Sequence, residues 1–325
     1  MPARALLMRS RRWAGLAGFA MLLAARPVSA VCPTDLCDCL GEAGHFALVG
    51  TDVSIRPGIP SPRVYGYPVQ SSVDTSVCAT TADLFGKLNG ETAIGDDVIL
   101  TDTTGTAGEL KGYRAYGGYA YPGVLIGGDL ATGGGFVKGL EFGVIMGATD
   151  MRGRNPRVAA CARAADDAQA ASTAFSLIPP TQIITNGRLV AIGAVREINA
   201  TAGVNVIRFG DLILKAHRQG GYTTGSVLNI NLAPNTDSVI VNVTGKLAID
   251  RESQIKVNGG DIEDVIINLI GKRPSLKINA DATVEPAILA PGRTVLVDSY
   301  AQTANLYAAR TKIKGTTIAQ ALLCP

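Results

Sequence analysis

The sequence is poor in the residues that most often carry chemistry. It has two histidines, one tryptophan and 5% aromatic residues among 325. His45 borders an apolar run and reads as structural, while His217 lies in the basic stretch Lys215-Ala216-His217-Arg218 and reads as exposed. No serine stands in a Gly-x-Ser-x-Gly elbow, so a hydrolase built on one has no support. Gly133-Gly134-Gly135 is followed by neither a lysine nor a helix start, which makes it a turn rather than a phosphate cradle. No catalytic residue and no cofactor is expected. A basic surplus is lacking too. The chain carries 30 Lys and Arg against 27 Asp and Glu, but five of the arginines lie in residues 1–30, where there is no acid. The remainder is slightly acidic, about −2, and a nucleic-acid partner loses its electrostatic footing.

Residues 1–30 read as a cleaved secretion signal. Arg4, Arg9, Arg11 and Arg12 form a basic start, Trp13 to Ala25 an apolar centre, and Val28-Ser29-Ala30 a small-x-small cleavage site. The apolar run is too short, and too soon followed by Arg26-Pro27, for a membrane span, and none is expected after cleavage. Ser10-Arg11-Arg12 matches a twin-arginine signal poorly, and the residues before Cys32 do not make a lipid-attachment site. An extracellular or cell-surface location follows, with periplasm or outer envelope as variants.

Six cysteines, Cys32, Cys37, Cys39, Cys78, Cys161 and Cys324, survive cleavage. In an exported chain they are disulfide candidates whose pairing the sequence leaves open. Cys37-x-Cys39 is too tight for a zinc knuckle, and no histidine lies at ligand spacing.

What the sequence does contain is a recurring short strand: a few aliphatic residues, a small residue, then a polar turn. It reads Val124-Leu125-Ile126-Gly127, Val144-Ile145-Met146-Gly147, Val239-Ile240-Val241-Asn242, Val265-Ile266-Ile267-Asn268 and Ala287-Ile288-Leu289-Ala290. Val124 and Val144 lie 20 residues apart, Val239 and Val265 lie 26 apart. Such spacings suit the coils of a β-solenoid, each burying its apolar side on its neighbours. Ile255-Lys256-Val257 and Leu276-Lys277-Ile278 alternate as half-buried strands do. One helix interrupts the strands. Asn155-Pro156 supplies its start, Ala-rich sequence continues to Phe175, and Pro179-Pro180 ends it. Val158, Cys161, Ala162, Ala165, Ala168, Ser172 and Phe175 share a narrow face that can lie close on a sheet, leaving Asp166, Asp167 and Gln169 to solvent. The expected fold is mainly β: a discontinuous β-solenoid over residues 91–325, with one long helix at about 156–177 along its flank. Residues 31–90, with four cysteines and several prolines, are expected to form a cap and a first strand, starting at His45-Phe46-Ala47-Leu48-Val49-Gly50.

The order of these parts resembles the bacterial choice-of-anchor A domain family. The resemblance is carried by the Ala-rich helix ending in Pro-Pro, Val265-Ile266-Ile267-Asn268-Leu269-Ile270, Pro286-Ala287-Ile288-Leu289-Ala290-Pro291 and a final small-residue strand, Ala304 to Ala309. It covers about residues 45–325 and implies a secreted or surface β-solenoid, related in style to ice-binding adhesin domains. Cys324-Pro325 follows with no apolar tail or sorting signal, a departure that puts permanent anchoring in doubt.

The leading functional expectation is therefore adhesion to an extracellular matrix, glycan or cell-envelope component. Tyr113, Tyr116, Tyr119 and Tyr121 form a possible contact patch. The first alternative is ice binding, which needs a flat, sparsely charged face of small residues repeated over the coils. The threonines at 101–106, Thr223-Thr224 and Thr316-Thr317 do not share an evident register. The second alternative is a polysaccharide-degrading β-helix enzyme, with Asp261, Glu263 and Asp264, or Asp96-Asp97, as weak calcium candidates. Acids are favoured in such turns in any case.

Overall fold

The structure is a computed structural model that describes residues 35–56, 71–73, 76–84, 92–101, 103, 108–111, 124–134, 136–137, 143–150, 152–183, 187–272, 276–315 and 317–318. Its dominant element is a three-sided β-solenoid. Each coil lays down one strand on each of three faces, and every strand pairs in parallel with the same face of the next coil. A 17-stranded sheet makes two of the faces and a 10-stranded sheet the third. Long strands such as Leu48–Arg56, Ala287–Val297 and Leu306–Lys314 run through the corner that joins the first two.

The aliphatic runs form these strands because each coil offers the same inward position to its neighbours. Ile207, Val241, Ile267, Ile288, Leu306, Leu48, Val77, Val98 and Leu130 stack in unbroken register along one inner wall. All nine are buried, and burial of each contributes roughly 1.5–3 kcal/mol. At the corners backbone packs on backbone: a Cβ on Gly245 would lie 2.3 Å from the Gly210 carbonyl oxygen, so only glycine fits there.

Chain order does not follow the order of the stack. Strand Leu48–Arg56 lies in the middle, pairing with Val77–Leu84 on one side and with the late strand Leu306–Lys314 on the other. From it an N-terminal half grows outward through 98–100 and 130–132 to Thr149–Asp150. The helix α2 (Arg157–Leu177) then carries the chain back. A C-terminal half starts at the far end with Gln182–Ile183, Arg188–Ile192 and Val195–Asn199 and builds inward until it meets the first coil. The 21 residues of α2 rise about 31 Å. The strands they cross run from Val98–Leu100 to Thr236–Val243, seven rungs counting both ends. Six steps of ~4.8 Å give about 29 Å, so helix length and stack height match.

Three expectations need correction. The described residues of 31–90 do not cap the first coil: 48–56, 71–73 and 77–84 are themselves rungs, while the short helix Leu36–Leu40 and the 3-10 turn Gly41–His45 pack on α2. Their apolar residues Leu36, Leu40, Ala43 and Phe46 are buried there, which a solvated cap would not need. Second, Val144 pairs with Leu125 and not with Val124. A one-residue slip exchanges the faces of a strand, so Val124 and Ile126 point inward and Leu125 outward. Third, Asp167 is half-buried, because the Glu42 amide donates to its carboxylate across the packed N-terminal turn. Burial foremost pushes the Asp167 carboxyl above the ordinary range.

Candidate binding faces of the solenoid

The three faces differ sharply in what they offer. The first lies under α2. A second apolar layer sits there, with Val206, Ile240, Ile266, Leu289, Tyr307, Val49 and Ile99 from the sheet against Val158, Cys161, Ala164, Ala168, Ala171 and Phe175 from the helix. Polar contacts pin both helix ends. Asn155 accepts the Arg157 amide at 2.9 Å and so caps the start as its position in the sequence implies. The Arg157 guanidinium donates to Asp97 at 2.7 Å, Asp96 at 3.1 Å and the Ser76 hydroxyl at 2.9 Å. Partial burial works to raise the Asp96 pKa, but Ser76 and Arg157 overcome it and hold the carboxyl below its usual range.

At the other end, Asn242 donates to the Phe175 carbonyl, Asn268 to the Ser172 carbonyl and Arg208 to the Ser176 carbonyl, supplying acceptors in the last turns with partners. The asparagines that close the two Val-Ile-x-Asn runs are thus the clasps of the helix. Cys78 and Cys161 form a disulfide that ties the second turn of α2 to the sheet. Cys37 is also disulfide-bonded, and half-buried Cys39 packs against the layer under the helix. Cys32 and Cys324 lie outside the described residues.

The second face is charged. Arg310, Lys312, Asp52 and Lys277 point outward from neighbouring rungs, with Arg310 3.9 Å from Asp52 and Arg188 3.5 Å from Asp211 near its end. Opposite charges opposed across rungs describe a solvated face.

The third face is uncharged along its whole first column. Val195, Val227, Gln254, Thr283, Gln302, Ala93 and Leu125 occupy the outward position, alternating with buried neighbours such as Leu228, Ile255, Val284 and Ile94. The ladder register brings Thr317, Ser72 and Val144 into the same row. The row therefore runs through ten strands and both halves of the chain, about 43 Å at ~4.8 Å per step. Beside it, Asn258 donates to Asn231 at 2.9 Å and Asn231 to Asn199 at 2.8 Å, an amide ladder that fixes three rungs. Charges return in the column between, at Glu197, Lys256 and Glu285, and on the end strand at Arg196. Of the described threonines among those singled out in the sequence, Thr101 is buried, Thr103 borders the cavity beside α2, Thr223 and Thr224 leave the coils, and Thr317 is in register with the row. The row was hidden because glutamine, valine and leucine fill most of it.

The calcium candidates do not converge. Asp261, Glu263 and Asp264 flank a 3-10 turn. Burial first, then Asp261, Glu263, Asp237 and Asp35, push the Asp264 carboxyl upward, and no metal-ligating group is found among the described residues. Asp96 and Asp97 are taken up by Arg157, and Asp97 also accepts the Asp129 amide at 2.6 Å. A cavity of about 470 Å³ opens beside the start of α2, lined by Thr103, Arg154, Asn155 and Arg163 among others. It holds no nucleophile–base pair. His45 sits 4.0 Å from Glu42, and His217 is exposed. Tyr113, Tyr116, Tyr119 and Tyr121 lie outside the described residues. Among those residues no helix is long and apolar enough to cross a membrane.

No family model matches the chain, so the choice-of-anchor A family stands only as a resemblance in the sequence. No curated protein matches it either. Solved structures do. An ice-binding protein from the Antarctic ascomycete Antarctomyces psychrotrophicus is 12% identical, with a TM-score of 0.46 over 87% of this chain and 97% of that one. A glycosylated ice-binding protein from Arctic yeast is 11% identical, TM-score 0.45, over 87% and 94%. An ice-binding protein from an Antarctic Flavobacteriaceae bacterium is 10% identical, TM-score 0.37, over 88% and 99%. Likeness at this level assigns the chain neither a family nor a ligand.

Proposed function

We propose that the protein is a non-catalytic, exported surface binder that engages ice through its uncharged face. The observation that carries this is a row without a charged residue, seven outward positions continued in ladder register by Thr317, Ser72 and Val144, held by parallel strands across both halves of the solenoid. Ice presents no charge for an ion pair to meet, and a full charge at the contact holds its own hydration shell. A face that joins lattice water must therefore offer methyl, hydroxyl and amide groups at a fixed spacing. The ~4.8 Å strand repeat supplies the spacing, and a rigid stack avoids the ordering cost that a mobile surface would incur on binding.

The test is partition of the purified protein into a slowly growing ice hemisphere, together with inhibition of ice recrystallisation. Thr283→Asp with Gln302→Glu, both outward-facing, should abolish both readouts while circular dichroism stays native. Lys312→Glu on the charged face should change neither. Wild-type protein excluded from ice, or a double variant that still partitions, refutes the reading.

A further inference from the structure

The corners that lead from the charged to the uncharged face are short at 250–253, 279–282 and 298–301. At the fourth, residues 216–226 leave the coil and fold as an antiparallel hairpin, His217–Gln219 against Tyr222–Thr224. Gly220 and Gly221, with φ of 59° and 83°, make the two-residue turn that matches strand twist. The hairpin is thus ordered, yet nearly all of it is exposed and it adds nothing to the core.

Its register sets His217 opposite Thr224 and Gln219 opposite Tyr222, so these four share one side while Arg218 and Thr223 take the other. The first side turns toward the end coil, where a Cβ on Gly193 would lie 2.5 Å from the His217 Cβ. That bend is flanked by Ile192 and Val195, which are 55% and 57% exposed, and Tyr222 is 81% exposed. Half of the large apolar side chains exposed among the described residues therefore meet at one corner, a concentration that marks an interaction surface. The segment between Asp211 and Asp237 contains no acid.

We propose that this corner is a second binding site, at the end of the uncharged row and sharing only its terminal member Val195, and that it takes neutral pyranose rings of a glycan. Tyr222 offers a rigid aromatic face to the C–H side of a sugar ring. Gln219, Thr224 and His217 supply donors and acceptors to ring hydroxyls from the same side of the hairpin. Ile192 and Val195 meet methyl or acetyl substituents. Arg218 stands on the opposite side of the hairpin, and the exposed cations Lys215 and Arg196 beside Ile192 and Val195 are matched by the carboxylates Glu197 and Asp250 at the same corner, so no surplus charge selects an acidic ligand and a neutral sugar suits the site.

The test uses an array of neutral chito-, cello- and β-galacto-oligosaccharides alongside sulfated and uronic glycans, followed by calorimetric titration of the strongest binder. Tyr222→Ala should weaken that binding at least about tenfold, the loss typical of an anchor side chain. Gln219→Ala should weaken it less, and both variants should keep the wild-type circular dichroism and ice readouts. The Thr283→Asp, Gln302→Glu double variant should leave glycan affinity unchanged, so the two sites stand or fall separately. The proposal is overturned if no array sugar binds, or if Tyr222→Ala binds as wild type does. It is equally overturned if only sulfated or uronic glycans bind and Arg218→Ala abolishes it.

Discussion

Arg293 offers the sharpest test of how the coils hold together. It is 2% exposed, on the strand Ala287–Val297, where the ladder to the next rung shifts register between Ala290 and Thr294. Its guanidinium reaches the corners of the two preceding coils. Nη1 donates to the Gly245 carbonyl at 2.6 Å, Nε to Gly271 at 3.2 Å and Nη2 to Ile270. Arg293→Met keeps much of the volume and removes all three donors. Each acceptor left buried costs about 1–3 kcal/mol, partly offset because a guanidinium no longer has to be stripped of water. The net loss should be about 3 kcal/mol, seen as a lower urea midpoint with an unchanged slope. At about 2.1 cal/mol/K of unfolding entropy per residue, a chain of this length would lose roughly 4–5 °C in Tm. Arg293→Lys restores the charge but not the fork, and should recover about half. An Arg293→Met protein within about 1 kcal/mol of wild type would show that the corner carbonyls do not depend on this side chain.

Two further outcomes follow from the layer under the helix. The Asp96 carboxyl is held below its ordinary pKa, so its contribution is complete above pH ~4 and fades as pH falls through the lower folded value. Arg157→Gln should therefore melt lower than wild type at pH 7, and the gap between the two melting curves should narrow as the pH falls below the ordinary carboxylate range. A gap independent of pH would refute the ion-pair account. Ile266→Asp places a carboxylate in the dry layer between sheet and α2 and should cost more than ~4 kcal/mol or abolish soluble expression. Lys256→Ala, on the outward side of the neighbouring strand, should shift the urea midpoint by no more than ~0.5 kcal/mol equivalent.

The architecture was legible where sequence and structure repeat the same period. Val239 and Val265, 26 residues apart, are rung partners, and the Asn-Pro start and Ala-rich face of α2 lie where the spacing puts them. Ile240 and Ile266 were legible as buried but not as to what buries them, since alternate residues of these strands face either the solenoid interior or the helix and both sides are apolar. Burial on two faces erases the alternation that would tell them apart. The uncharged row was not legible, because its members come from rungs 15 to 32 residues apart within each half and 245 apart across the join and share no residue type. What unites them is the lack of charge at a register position, and register exists only once the coils are stacked. Arg293 escaped notice because its partners are backbone carbonyls, which leave no trace in a sequence.

The discontinuous chain order has a consequence for the proposed ice contact. The row crosses from one half to the other between Thr317 and Ser72, where two short strands share two residue pairs. The neighbouring join, Leu48–Arg56 against Leu306–Lys314, has eight. The continuity of the uncharged face therefore depends on a union made chiefly on the other two faces and braced by α2, which spans the joint and is itself held at both ends and by the Cys78–Cys161 bridge. A rigid ligand such as ice would read any slip at that joint as a break in the row, since displacement by one rung moves half of it by ~4.8 Å. On this reasoning the helix serves the binding face from the opposite side of the solenoid, and weakening its clasps at Asn242 and Asn268 should impair ice partition without altering a single residue that touches ice.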